Sequence, residues 1–265
     1  MKPAPFDYVR AEAVEEAVAA LADHGGEAKV LAGGQSLVPA LNMRLVRPAV
    51  LVDVNRIPGL DEVAPENGVI RVGALVRQAD PRLRSHPLLA EAIPHIGHVV
   101  TRNRGTVAGS LAHADSAAEL PLCLTLLGGV VVARSARGIR EIVADELFVS
   151  PYTTTLEPGE LVVETRWPAP QEGWGYAFAE FAQRHGDYAL CMAAAAARAG
   201  ELRVAVGSVT ARPTVLEVDP DTPGQSAAAQ VEPWGSVHAS PAYLKHLVHV
   251  LVDRAVERAR ERAAA

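Results

Sequence analysis

Near the N-terminus a short apolar strand, a glycine pair and a helix follow one another without a break. No other stretch of the sequence constrains the fold as strongly. Residues 29–32, Lys-Val-Leu-Ala, predict a short buried strand, Gly33-Gly34 closes it, and residues 36–41 predict a helix. Before them, residues 11–24 carry Val14, Val18 and Leu21 at helical spacing with Glu12, Glu15 and Glu16 between, and Gly25-Gly26 ends that helix. Residues 50–54, Val-Leu-Val-Asp-Val, predict the next strand. Helix, strand, glycine turn, helix, strand is the alternation of a parallel α/β unit, because parallel strands need a crossover connection.

Pro58-Gly59 interrupts this alternation and opens a second block. There residues 69–73, 130–133 and 161–166 read as strands, and residues 78–84 and 88–97 as helical. Residues 101–116 are polar and glycine-bearing, which predicts a loop rather than a helix. Pro121 marks the start of an apolar helix, where its missing N–H costs nothing. The run 167–173, Trp-Pro-Ala-Pro-Gln-Glu-Gly, reads as a linker between domains. Beyond it, residues 177–181, 189–199 and 202–209 suit one antiparallel sheet, while the alanine run inside the second also suits a helix. Residues 213–240 read as extended, and residues 241–262 as one helix with Leu244, Leu247, Val248, Leu251, Val252, Ala255 and Val256 on a single stripe.

Composition excludes several functions. Over 265 residues the net charge is −6 and no sustained basic stripe occurs, which argues against nucleic-acid binding. The two cysteines, Cys123 and Cys191, are too few for an iron–sulfur cluster, which takes about four. They are also too few for a cysteine-rich zinc site or a disulfide scaffold, and read as small buried hydrophobes. The longest uncharged apolar stretch, residues 120–133, falls short of the about 20 residues that span a bilayer. The first residues carry no apolar signal core, so the expected compartment is the cytoplasm.

Two segments carry chemistry. In Leu31-Ala32-Gly33-Gly34-Gln35-Ser36-Leu37, two glycines after a strand permit close backbone approach, and successive N–H groups before a helix form an anion nest. That suits a phosphate or pyrophosphate, although a bare Gly-Gly also makes a plain turn. Residues 102–121 hold the hydroxyls of Thr106 and Ser110, the open backbone of Gly109, and Asp115 and Glu119 as acceptors for ribose hydroxyls. His113 lies within this segment. His95 and His98, and His246 and His249, stand three apart without a third ligand and read as ordinary helix-face histidines.

In this order the segments resemble the FAD-binding middle subunit of the molybdenum hydroxylases, as in the medium chain of aerobic carbon monoxide dehydrogenases and the flavin subunit or domain of xanthine dehydrogenases. The resemblance takes in Phe6-Asp7-Tyr8, residues 32–37, Arg44-Leu45-Val46-Arg47-Pro48, Leu51-Val52-Asp53-Val54-Asn55, residues 104–121, residues 183–189 and residues 238–247, and so covers nearly the whole chain. It implies an α+β fold: a two-lobed PCMH-type FAD-binding domain over residues 1–172, with lobes 1–57 and 58–172, then a small sheet-plus-helix domain over residues 173–265. FAD is expected to bind non-covalently, extended between the lobes near Gly59. By this resemblance Ala32, Gly33, Gly34, Gln35, Ser36 and Leu37 hold the pyrophosphate, and Thr106, Ala108, Gly109 and Ser110 form a second phosphate loop. Asp115 and Glu119 take ribose and adenosine hydroxyls, and Leu161 and Val162 pack on the flavin or adenine. Arg184, Asp187 and Tyr188 border the isoalloxazine.

The same resemblance implies a relay. A large molybdopterin subunit hydroxylates the substrate, a small subunit with [2Fe–2S] clusters passes electrons to this chain's FAD, and an external acceptor removes them. The assembly is expected to be a dimer of heterotrimers. Ala108 stands where the family's second loop has its first glycine, Ser110 where Asn is common, and Ser116 where Pro is common; residues 214–237 are shorter than usual and show no clear helix. The rival readings are a stand-alone FAD oxidase or dehydrogenase of similar fold, and a flavin-less assembly module.

Overall fold

The computed structural model describes residues 2–265. In the first lobe, β1 (Asp7–Arg10), α1 (Val14–His24), β2 (Ala28–Leu31), α2 (Leu37–Asn42) and β3 (Val50–Asp53) build a parallel sheet in the order β1-β3-β2. The parallel unit expected from the glycine-pair region is there, with β1 as an additional strand. Central β3 buries Val50, Leu51 and Val52, as an unbroken apolar run requires when both faces are covered. α1 covers the sheet with Ala17, Val18 and Leu21 and stops at Gly25, whose φ of +50° leaves the helical region.

The second lobe contains β4 (Val63–Glu66), β5 (Val69–Gly73), α3 (Pro87–Ala92), α4 (Val99–Arg102), α5 (Val107–His113) and α6 (Glu119–Leu127). It continues with β6 (Val130–Ser135), β7 (Gly138–Val143), α7 (Ala144–Leu147), β8 (Phe148–Ser150), β9 (Thr153–Thr154) and β10 (Leu161–Pro168). Its main sheet is antiparallel in the order β4-β5-β10-β6-β7. α6 is buried along its whole length, which explains why it is apolar on every side.

Two expectations for this region need correction. The stretch 101–116 is not a loop: it contains the end of α4 and all of α5. Thr106 caps α5, its Oγ1 accepting from Gly109 N–H at 3.0 Å, and Val107, Ala108 and Leu111 are buried, so packing outweighs the poor helix propensity of Gly109. The linker is also shorter than residues 167–173. Trp167 is fully buried on β10, its Nε1 donating to Thr165 Oγ1 at 2.8 Å.

The remaining elements are β11 (Gly175–Ala182), β12 (Ala189–Arg198), β13 (Glu201–Gly207), β14 (Thr214–Leu216), α8 (Pro223–Gln230) and α9 (Pro241–Ala263). The four strands form an antiparallel sheet in chain order. Residues 213–240 are therefore not simply extended, since β14 completes the sheet and α8 packs on α9. The alanine run is strand, covered on both faces. Ala177, Cys191, Ala193 and Ala195 meet the apolar stripe of α9, whereas Tyr176, Phe178, Met192 and Ala194 join the core of the second lobe. Methyl-sized side chains let α9 approach closely: a Cβ on Gly175 would overlap the Ala259 carbonyl oxygen.

Glu91 of α3 fastens this sheet to the second lobe. Its carboxylate accepts from Phe178 N–H at 2.8 Å, from Arg258 of α9 at 2.6 Å, and from Arg262. Arg258 also donates to the Phe178 carbonyl at 3.1 Å, so the exposed edge of β11 is closed by side chains.

Candidate functional site

The glycine turn after β2 lies directly on the turn before α5. A Cβ on Gly33 would stand 2.8 Å from Gly105 Cα and overlap the Arg104 carbonyl oxygen, so only glycine permits this contact between lobes. Gly34 has a φ of +73°, which glycine adopts without strain. Among the described residues, the N–H groups of Gly33, Gly34, Gln35 and Ser36 have no protein acceptor. A row of free donors beside a glycine-only contact, ahead of α2, makes a cradle that can take an anion. It fits the pyrophosphate of a dinucleotide.

Two residues that the sequence reading did not single out hold the cradle. Asn55 Nδ2 donates to the Ala32 carbonyl at 2.9 Å and the Leu31 carbonyl at 3.2 Å. Arg77 donates through Nη2 to Asn55 Oδ1 at 2.9 Å and through Nη1 to the Arg104 carbonyl at 2.6 Å. This Asn55–Arg77 clamp joins both turns, and burial, then the charge of Arg104, lowers the pKa of Arg77. Backbone pairing continues the junction, with Val107 N–H on the Val76 carbonyl at 3.0 Å and Gln78 N–H on the Gly105 carbonyl at 2.9 Å. Gln78 is buried, and its Oε1 has no partner among the described residues.

In α5 the expected phosphate contacts are fewer than the motif suggests. Gly109 N–H is taken by Thr106 Oγ1 and Ser110 N–H by the Thr106 carbonyl. The Ala108 N–H and the half-buried Ser110 hydroxyl are without partners among the described residues. The Ala108 methyl points into the core of the second lobe, so it takes no room from the cradle.

Past α5, Asp115 is buried, accepting from Ala117 N–H at 2.9 Å and from the Tyr152 hydroxyl at 3.3 Å. Glu119, at the first turn of α6, is 7% exposed. Burial, and then the neighbouring Glu180 and Asp115, push its pKa up to about 8. The loop between β11 and β12 carries Arg184 and Asp187, paired at 2.9 Å, and the exposed Tyr188. Gly186 seats this loop on the second lobe, against the ring of His98 and the Gly97 carbonyl. Partial burial, then the charges of Asp115 and Glu119, raise the pKa of Tyr188.

Leu161 is buried in the core of the first lobe and Val162 in that of the second. Burial raises the Cys191 thiol to about 12 and holds that of Cys123 well above its ordinary value. Both are therefore unreactive thiols. Among the described residues no three His, Cys, Asp or Glu side chains are placed to hold a metal. No helix among them is long and apolar enough to cross a membrane.

Residues 4–170 match the family described as the FAD binding domain in molybdopterin dehydrogenase. The chain is 42% identical to the 6-hydroxypseudooxynicotine dehydrogenase complex subunit alpha of Paenarthrobacter nicotinovorans, covering 99% of this chain and 97% of the relative. It is 35% identical to the carbon monoxide dehydrogenase medium chain of Hydrogenophaga pseudoflava, covering 82% of this chain and 78% of the relative. The solved structure of quinoline 2-oxidoreductase from Pseudomonas putida 86 superposes with a TM-score of 0.93 at 34% identity, over 100% of both chains. The chain belongs to this family of FAD-binding domains. It is an FAD-binding medium subunit of the molybdenum hydroxylase kind and thus part of an oxidoreductase, as the sequence resemblance implied.

Proposed function

We propose that this chain is the electron-transfer subunit of its complex, with FAD extended across the junction of the two lobes. The observation that carries the reading is the contact of Gly33 with Arg104 and Gly105, beside four free N–H groups. In this reading Gly33, Gly34, Gln35 and Ser36 bind the pyrophosphate through backbone N–H groups, and Ala108 N–H and the Ser110 hydroxyl add donors from α5. Asn55 and Arg77 position the two turns without touching the cofactor. α5 begins beside the cradle, at the turn holding Gly105, and ends just before Asp115, whose charge reaches Tyr188. This supports placing Asp115, Glu119, Arg184, Asp187 and Tyr188 toward the ring. Bound FAD supplies a carrier that takes electrons singly or in pairs, and so couples one-electron clusters to a two-electron acceptor.

The partners in this proposal are a small [2Fe–2S] subunit and a large molybdopterin subunit, assembled as a dimer of heterotrimers. Their presence is supported by the two cysteines, which leave cluster ligation to another chain. The burial of the Ala108 methyl removes one of the two reasons, Ala108 and Ser110, for reading the chain as a flavin-less module. Anaerobic addition of the complex's organic substrate should bleach the flavin band in the assembled enzyme and leave the isolated flavoprotein oxidised. Turnover of an organic substrate by the isolated chain, free of molybdenum and iron, would refute the relay in favour of a stand-alone flavoenzyme.

A further inference from the structure

Iron–sulfur clusters deliver electrons alone, whereas a flavin reduced by two electrons also takes up protons. A proton donor within this chain can serve that uptake. Glu180 lies on β11, on the face that Tyr176 and Phe178 turn toward the second lobe. Its side chain is only 3% exposed, and its Oε2 is buried without any hydrogen-bond partner among the described residues. Its other oxygen, Oε1, stands 3.8 Å from His95 Nδ1. The His95 ring packs on Phe178 with centroids 5.4 Å apart and its side chain is 39% exposed, so it connects this interior carboxyl to water.

Across the sheet, Glu180 is in register with Met192 and Met192 with Gly207. A Cβ on Gly207 would stand 3.5 Å from the Ser116 carbonyl oxygen, and Ser208 N–H donates to that same oxygen at 2.8 Å. This row sets Glu180 at the level of the segment that runs from Asp115 to Glu119. An unpartnered buried carboxyl oxygen otherwise costs free energy, and a bound proton reduces that cost.

We propose that Glu180 holds a proton for the reduction of FAD and that His95 reloads it from solvent. The inference rests on the placement of FAD given above. In the step, Glu180 loses the proton on its carboxyl oxygen to the cofactor as electrons arrive from the partner's clusters, and is left as a carboxylate. When the external acceptor reoxidises the flavin and the proton leaves with the electrons or to solvent, protonated His95 returns a proton to Glu180 and a solvent proton reloads His95, so electrons and protons balance over one cycle. The charges that act on His95 are His185 of the loop after β11, Glu91 of α3 and Arg258 of α9, and Glu119 of α6, itself beside Asp115 and Arg102, faces Glu180. Burial raises Glu180 to about 7, and burial, then His185, lowers His95, which favours proton transfer from protonated His95 to Glu180.

The test is the reduced-minus-oxidised infrared difference spectrum of the assembled holoenzyme, in wild type and Glu180→Gln. Wild type should lose the carbonyl stretch of a protonated carboxylic acid on reduction. Glu180→Gln should lack that change at unaltered FAD content, and the inflection near pH 7 in the flavin potential should vanish with it. The same band change in Glu180→Gln, or its absence in wild type, overturns the proposal. If Glu180→Gln does not fold, Glu180→Asp decides: the lost band must change frequency in that variant and stay in place in Glu119→Gln, and an unmoved band in Glu180→Asp overturns the proposal. A wild-type complex without FAD would overturn the cofactor placement instead.

Discussion

Replacing Gly33 with alanine puts one methyl group into the contact on which the proposed site depends. The new Cβ would stand 2.8 Å from Gly105 Cα, whereas ordinary contacts begin at 3.4 Å, and it would overlap the Arg104 carbonyl oxygen. Both obstacles are backbone, so no side chain can swing away. The turns have to part by more than half an ångström against the 2.6 Å bond from Arg77 to the Arg104 carbonyl and the 2.9 Å bond from Asn55 to Ala32. Such overpacking costs ~1–3 kcal/mol. In a chain of this size each kcal/mol lowers Tm by about 2–4 °C, so a fall of roughly 2–12 °C is expected. FAD affinity should fall further, because a hydrogen bond to a charged group is worth ~1.5–3 kcal/mol and several N–H groups move together. The expected loss is at least about tenfold, since ~1.4 kcal/mol corresponds to one factor of ten. Gly33→Asp, which adds a negative charge facing the pyrophosphate, should abolish binding. Titration of flavin-free protein by flavin fluorescence, with a thermal melt on each variant, measures both effects. Wild-type affinity and an unshifted Tm in Gly33→Ala would refute the argument.

Arg77→Met leaves Asn55 Oδ1 and the Arg104 carbonyl without their donor and should cost ~1–3 kcal/mol in urea unfolding, with weaker FAD binding; Arg77→Lys should restore little, since an ammonium lacks the fork that spans both acceptors. Glu91→Gln should cost about 2 kcal/mol, less than a fully buried pair because both arginine partners are over a third exposed; an unchanged urea midpoint would contradict the proposed fastening of β11. Buried His86 accepts from Leu88 N–H at 3.1 Å, and burial lowers its pKa to about 4 from the ordinary 6.5. Above pH 6.5 both folded and unfolded states keep it neutral; between 6.5 and 4 only the unfolded state gains the proton, so up to about 3 kcal/mol of stability is lost as pH falls through that window. His86→Asn, which keeps a cap acceptor without that titration, should flatten this part of the stability profile.

Much of this architecture is legible in the residues because local pattern and tertiary demand agree. The parallel unit around Gly33-Gly34 and the stripe of α9 are such places. The alanines of β12 fit helix or strand equally well in isolation; what decides is that α9 and the second lobe cover both faces. α5 looked like a loop because Gly109 and Ser110 are poor helix formers, yet Thr106 as a cap and Val107 with Leu111 at helical spacing were the available signal. α8 has only a weak sequence signal, and its closeness to α9 at Gly224 supplies the missing reason: a Cβ there would overlap the His249 carbonyl. The close contact at Gly33 was readable from its glycines. Arg77 was not, since nothing in its neighbourhood in sequence indicates that it reaches Asn55 in one lobe and Arg104 in the other. Glu180 likewise gains its character only from burial between sheet and second lobe.

The most direct test of the account is a crystal structure of the protein with FAD bound. It should show pyrophosphate oxygens within hydrogen-bond distance of the N–H groups of Gly34, Gln35 and Ser36, with Ser110 on the opposite side and the Asn55–Arg77 clamp intact. A pyrophosphate bound away from the Gly33–Arg104 junction, or FAD bound with that junction pulled apart, would contradict it.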